Sequence, residues 1–168
     1  WFDAFVRASV ERDALELSRI RERQAMTDLL ALVAAQTGQL LNVSAAADKL
    51  GVSRPTIESH LRLLEDLFLV VRLPAWGRTL RSRVSVKPKV HVVDSGLAAR
   101  LLRLTPDKLT GLDPAALTDF GHLLETFVVG EIRKQSSWLE EPVALGHWRT
   151  SDGAEVDLII EHDDGTVL

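Results

Sequence analysis

Apolar positions recur at helical spacing in two early segments of the chain. Trp1 to about Asp13 and Ile20 to Thr37 both read as helices, the second with Ile20, Leu29, Leu30, Leu32 and Val33 on one face and Gly38 as its stop. From Val43 the pattern breaks into two shorter helices. Ser44 is the predicted cap of the first, which runs through Ala45, Ala46, Ala47 and Leu50 to Gly51; Ser53 caps the second, with Pro55 in its first turn. Small Ala46 and Ala47 allow close approach, while Leu50, Val52, Ile57, Leu61 and Leu64 face a shared core. This is helix-turn-helix patterning. Leu69–Leu73 then reads as a strand, Pro74–Ser85 as a long turn containing Gly77, and Val86–Val93 as a returning strand interrupted by Pro88. Val43 to Lys89 is thus predicted to be a winged helix-turn-helix.

Beyond the wing, Asp94 or Ser95 caps a helix that reaches Leu102, and Thr105–Asp119, with Pro106, Gly111, Asp113 and Pro114, reads as a connector. Phe120–Gln135 is an amphipathic helix with Leu123, Leu124, Phe127, Val128 and Ile132 as the expected buried stripe, and it carries Glu125 and Glu131. Strands are expected at Val143–Arg149 and Ala154–Glu161, joined by the turn Thr150-Ser151-Asp152-Gly153. The predicted class is α+β. Its divisions are a helical segment (1–42), the winged helix-turn-helix with the next helix (43–104), the connector (105–119) and a C-terminal α/β domain (120–168).

Composition narrows the class. Of 168 residues, 46% are hydrophobic, enough for a packed core. No apolar run approaches the ~18 residues of a membrane span. There is no cysteine, hence no disulfide framework or thiolate metal cluster, and no secretory signal. The expectation is a soluble, cytoplasmic protein without a membrane partner. Trp1 in the first position and an apolar pair after Asp163-Asp164-Gly165 predict that the sequence is an excerpt.

The net charge of -4 conceals an asymmetry. Arg54–Val90 holds eight Lys or Arg against three Asp or Glu, and Arg78, Arg81, Arg83, Lys87 and Lys89 succeed one another with no acidic residue between them. Such a stripe suits a phosphate backbone, whose counterions it displaces. In a helix-turn-helix the second helix enters the major groove. Arg54, Thr56, Ser59, His60 and Arg62 would lie on its polar side, with Arg54 and Thr56 as readers of base edges. DNA is therefore the expected partner. A winged domain also serves as a protein-docking module, and that alternative stays open.

The C-terminal part carries a second kind of chemistry. Strand alternation puts Glu155, Asp157 and Ile159 on one face and leaves Asp157 flanked by apolar neighbours. A carboxylate so placed needs a partner or a metal. Glu125 on the helix and Asp157 on the strand suit Mg²⁺, which takes oxygen ligands and activates water for phosphodiester hydrolysis. The alternative is ion pairing of Glu125 and Asp157 with Arg149, Arg133 or Lys134. Arg12-Asp13 reads as a solvated or locally paired charge couple. No Gly-x-x-x-x-Gly-Lys loop occurs, so ATP has no site of that type here.

Several segments taken together resemble the C-terminal half of a prokaryotic family of AAA+ ATPases, whose region beyond the ATPase core is catalogued as a domain of unknown function. They are Glu11-Arg12-Asp13, Thr37-Gly38-Gln39-Leu40-Leu41-Asn42, the helix-turn-helix with Leu63-Leu64-Glu65, and Pro88-Lys89-Val90-His91-Val92-Val93-Asp94-Ser95-Gly96-Leu97. Gly121-His122-Leu123-Leu124-Glu125-Thr126-Phe127-Val128, Trp148-Arg149-Thr150 and Gly153-Ala154-Glu155-Val156-Asp157 continue the match. The resemblance implies an ATPase core upstream, with Trp1 to about Thr37 beside its lid, and ATP bound only there. It also implies that 120–168 is a truncated α/β domain similar to restriction endonucleases, in which Glu125 and Asp157 match a helix Glu and a strand Asp. The matching Glu-x-Lys would fall near Thr166-Val167-Leu168, where the sequence stops. The function that the resemblance implies is that of a DNA-associated module of an AAA+-type protein. A Mg²⁺-dependent nuclease completed beyond Leu168 is one alternative, and a noncatalytic scaffold that docks a partner or forms a homo-oligomer is the other.

Overall fold

The computed structural model describes residues 4, 5, 8, 20–79, 86–150 and 152–168. The helix expected over Trp1–Asp13 and the Arg12-Asp13 couple fall almost wholly outside the described residues, as do Arg81 and Arg83. The fold is mixed α+β.

Helix α1 spans Ile20–Ala35 and buries Met26, Leu29, Leu30 and Val33. Gly38, at φ 76, turns the chain into the two-residue strand β1, Gln39–Leu40. Helix α2, Val43–Leu50, is capped by Asn42, whose side chain accepts the Ala45 N–H at 3.2 Å. Ser44, the expected cap, lies inside the helix instead, because Asn42 is the first residue whose acceptor reaches an orphan N–H. Gly51 closes α2 at φ 64. Helix α3, Arg54–Asp66, begins as expected with Ser53 accepting from the Thr56 N–H at 3.2 Å and Pro55 in the first turn.

Strands β2 (Val70–Leu73) and β3 (Lys89–Val92) are shorter than the sequence pattern suggests, since the chain joins the ladder only after Pro88. The sheet order is β1-β3-β2, antiparallel throughout, with Leu40 and Leu73 both opposite Lys89. β3 is the central strand and all four of its residues are buried. Val90 and Val92 join the core of Met26, Leu29, Leu30, Ile57, Leu61 and Leu64. Burying each such side chain stabilises by roughly 1.5–3 kcal/mol. By strand alternation Lys89 and His91 face the other way.

The C-terminal part covers that other side. Helix α4, Ser95–Leu101, is capped by Asp94, whose carboxylate accepts the Leu97 N–H at 2.6 Å. The expected connector is largely helical: α5 spans Pro106–Thr110, and α6 starts at Pro114 and runs to Ser136, with Asp113 accepting from the Ala115 N–H. The buried face of α6 also differs from expectation. It carries Ala116, Leu123, Thr126 and Val129, while Leu124, Phe127 and Val128 are exposed. Leu123 packs into the main core and Thr126 bonds to polar groups on Thr37 and β3, which fixes the rotation of the helix.

Strands β4 (Val143–Arg149) and β5 (Glu155–His162) form an antiparallel hairpin. Gly146 pairs with Ile159 but Trp148 with Val156, so His147 faces both Asp157 and Leu158 across a bulge. A bulge re-aims the side chains beside it and breaks strict alternation. His147 turns its own backbone outward: its N–H donates to Pro74 O at 3.0 Å, and the Trp76 N–H donates to its carbonyl at 2.6 Å. The first part of the expected wing turn is thereby tied to the hairpin. Gly146 makes that approach possible, because a Cβ there would sit 3.0 Å from Trp76 Cβ and 3.1 Å from Pro74 O. Among the described residues no helix is long and apolar enough to cross a membrane.

Candidate functional site

The two carboxylates singled out by sequence do converge, but on a lysine expected to serve another task. Lys89 Nζ donates to Glu125 Oε1 at 2.9 Å and to Asp157 Oδ1 at 2.7 Å. Three separate elements, β3, α6 and β5, supply the cluster. The Lys89 side chain is 3% exposed, Glu125 16% and Asp157 52%. Lys89 is therefore no surface cation, and its place in the expected phosphate stripe is corrected: it is neutralised and covered by the C-terminal part. Of the three expected partners, Arg149 is engaged with Glu155 at 3.4 Å and Lys134 with Glu131 at 2.5 Å, while Arg133 pairs with neither Glu125 nor Asp157.

Burial opposes charge on the Lys89 ammonium, yet its hydrogen bonds to two carboxylates outweigh that and hold its pKa above the ordinary lysine value. Burial pushes the Glu125 carboxyl up, and the Lys89 hydrogen bond only partly offsets it. Gly38 seats Glu125: a Cβ at Gly38 would meet Glu125 Oε2 at 3.1 Å, and its φ of 76 also favours glycine. Beside the cluster opens a cleft of about 340 Å³ whose lining includes His122, Arg149 and Glu155.

As arranged, the pair does not fit Mg²⁺. One oxygen of each carboxylate is taken by the ammonium, which already supplies the positive charge. Among the described residues no group of three His, Cys, Asp or Glu is placed to hold a metal ion. Near-octahedral oxygen coordination would require Lys89 to leave. The chemistry on hand is a buried ionic clamp that fastens α6 and the hairpin to the sheet.

The residues expected to touch DNA divide. Arg54, Ser59 and Arg62 are exposed on α3, and Arg78 and Lys87 are exposed before and after residues 80–85, which lie outside the described residues. Thr56 is half-buried and its hydroxyl is 2.7 Å from that of Ser53, committed to the cap. His60 is corrected: it is buried with Ile57, Leu61 and Leu64. The spacing of those four residues is that of one helical face, so periodicity carries the signal that residue type obscures. Likewise Lys89 alternates with Val90 in a strand that must bury both faces. Glu58 and Glu65, also on α3, hold Arg72 at 3.2 and 2.5 Å.

Comparison with known proteins adds family but no activity. The family described as "Domain of unknown function (DUF8612)" matches residues 1–108, and "Domain of unknown function (DUF4143)" matches residues 120–168. Uncharacterized proteins of Mycobacterium bovis and Mycobacterium tuberculosis are each 29% identical over 161 residues, covering 96% of this chain and 35% of theirs. The chain thus spans about a third of the length of the curated relatives it matches. No solved structure matches it.

Proposed function

The chain belongs to the DUF8612 family, and from that premise we propose that it is a DNA-associated module of a larger ATP-binding protein. The observation that carries this reading is the pair of exposed cations on α3, Arg54 and Arg62, together with the exposed Arg78 and Lys87. The order α1-β1-α2-α3-β2-β3, with β3 between β1 and β2, supports the winged-helix interpretation of this region. The greater length of the relatives leaves room for an AAA+ core. Helix α6 and the antiparallel hairpin after it, with a carboxylate from each, support the likeness to restriction endonucleases. Lys89 in its present place makes those carboxylates a structural clamp, so no hydrolytic step is derived from them.

Phosphate contacts position a protein on DNA without reading its sequence. With His60 buried and Thr56 spent on the cap, weak sequence preference is expected. The test is fluorescence anisotropy of a labelled duplex over a salt series. Four phosphate contacts by Arg54, Arg62, Arg78 and Lys87 give a slope of log K against log salt of about −3.5. Arg54→Ala with Arg62→Ala should lower its magnitude by about 2. Absence of salt-dependent binding would overturn the DNA reading. A docking module is the second reading, favoured by the exposed apolar row Leu117, Phe120, Leu124, Phe127 and Val128 on α6.

A further inference from the structure

Strand β3 bears a second buried polar group on the Lys89 side. His91 is 1% exposed. Its Nδ1 lies 3.0 Å from the Thr126 hydroxyl, which lies 2.8 Å from the Thr37 hydroxyl, and the Val92 N–H donates to the Thr37 oxygen at 3.2 Å. A backbone N–H only donates, so Thr37 accepts from Val92; each hydroxyl keeps one proton to donate and a second lone pair to accept. In the order that makes His91 Nδ1 an acceptor, Thr37 donates to Thr126 and Thr126 donates to Nδ1. A neutral imidazole in that arrangement carries its hydrogen on Nε2. Among the described residues that Nε2 has no hydrogen-bond partner. A buried ring nitrogen left unmatched is costly and rare in a folded protein.

His91 lines a cavity of about 210 Å³ between β3 and the C-terminal half of α6, together with Thr126, Arg133, Lys134 and Ser137. At ~30 Å³ per water this is room for several waters, and so for a phosphate-sized group. The charged groups of the lining are cationic. Arg133 has no ion-pair partner among the described residues, whereas Lys134 is paired with Glu131. The carbonyls at the end of α6 that would repel an anion are occupied. Arg133 O accepts the Ser136 hydroxyl at 2.9 Å and the Ser137 N–H at 3.2 Å, and Lys134 O accepts the Ser137 hydroxyl at 2.7 Å.

We propose that this cleft binds a compact oxyanion of the phosphate class, gripped by the Arg133 fork and by the His91 Nε2–H. Guanidinium matches such an anion with two parallel bonds. Burial, with Lys89 and His147 nearby, holds the His91 imidazole neutral, its pKa lowered to about 4, so it acts as a neutral donor at physiological pH. None of the cations invoked for DNA takes part, and the two ideas stand or fall separately.

The test is a titration of ¹⁵N-labelled protein at constant ionic strength near neutral pH, once with inorganic phosphate and once with AMP, reading the His91 ring nitrogens. A saturable shift of Nε2 toward a hydrogen-bonded donor is expected, and Arg133→Gln should weaken it roughly tenfold or more. Arg78→Gln should leave it unchanged. Arg133 is exposed, so an unchanged melting temperature will verify that its variant is folded. Saturation by phosphate points to the free ion, and saturation by AMP alone to a nucleotide monoester. No saturable His91 shift with either, or a shift indifferent to Arg133→Gln, overturns the proposal.

Discussion

Replacing Lys89 with Met keeps the length of the side chain and removes its charge. Two carboxylates then lose their shared cation. Asp157 is half-exposed and water compensates it, so its share is under about 1 kcal/mol. Glu125, at 16% exposure, cannot be rehydrated so readily. Breaking a buried pair from one side costs about 3–5 kcal/mol. Partial access of water to Glu125 favours the lower end, about 3 kcal/mol at neutral pH. That corresponds to a fall of about 6–12 °C in Tm for a chain of this size. Adding Glu125→Gln to Lys89→Met removes the orphaned charge and should bring the total loss down to about 1 kcal/mol. Urea denaturation of the two single variants and the double, with m-values compared, gives the coupling directly. The clamp interpretation is refuted if Lys89→Met costs less than about 1 kcal/mol, or if the double variant is less stable than the single.

Acid should weaken the fold through His91. Its folded pKa is about 4 against an unfolded 6.5, so the unfolded chain takes the proton first; the contribution is complete above 6.5 and is lost as pH falls toward about 4. The full loss is about 3 kcal/mol, measurable as urea midpoints across that range, and His91→Gln should flatten the profile. His147, also held down by burial, acts in the same sense, and Glu125, pushed up, acts against it. Gly146→Ala should destabilise by about 1–3 kcal/mol in thermal melts, because two of the atoms it would strike, Pro74 O and Trp76 N, are backbone. Phe68 has φ 56 and is 81% exposed at the end of α3, so Phe68→Gly relieves left-handed strain without loss of packing and should raise stability by about 0.5–1 kcal/mol in the same melts.

Local rules are legible wherever one element decides the outcome. Ser53 with Pro55, Asp94 before Ser95, and the turn at Gly153 with φ 96 follow from capping and turn chemistry alone. The hairpin strands fall within a residue of their expected places for the same reason. Misreadings arise where two parts of the chain meet. Lys89 and His60 look like surface groups when residue type outweighs position in a repeating pattern. The largest apolar residues of α6 suggest one buried side, yet Thr126 turns inward because Thr37 and His91 offer it partners from distant parts of the sequence. Glu125 and Asp157 stand out as a pair, but their cation comes from a strand 36 residues before one and 68 before the other. No local spacing contains that information.

The position of β3 between two packing layers also orders events in time. Its Val90 and Val92 side has partners nearby in sequence, with Leu41, Leu61 and Val70 made before it. Its Lys89 and His91 side waits for Thr126, Glu125 and Asp157. With synthesis at about 5–20 residues per second, the 68 residues separating Lys89 from Asp157 take several seconds to emerge. During that interval the nascent N-terminal part folds around a strand whose second side is bare and polar, and water keeps Lys89 solvated. Closure of the clamp is then the late, long-range step of folding, so a pause in translation between α6 and β5 would lengthen the life of a half-covered sheet.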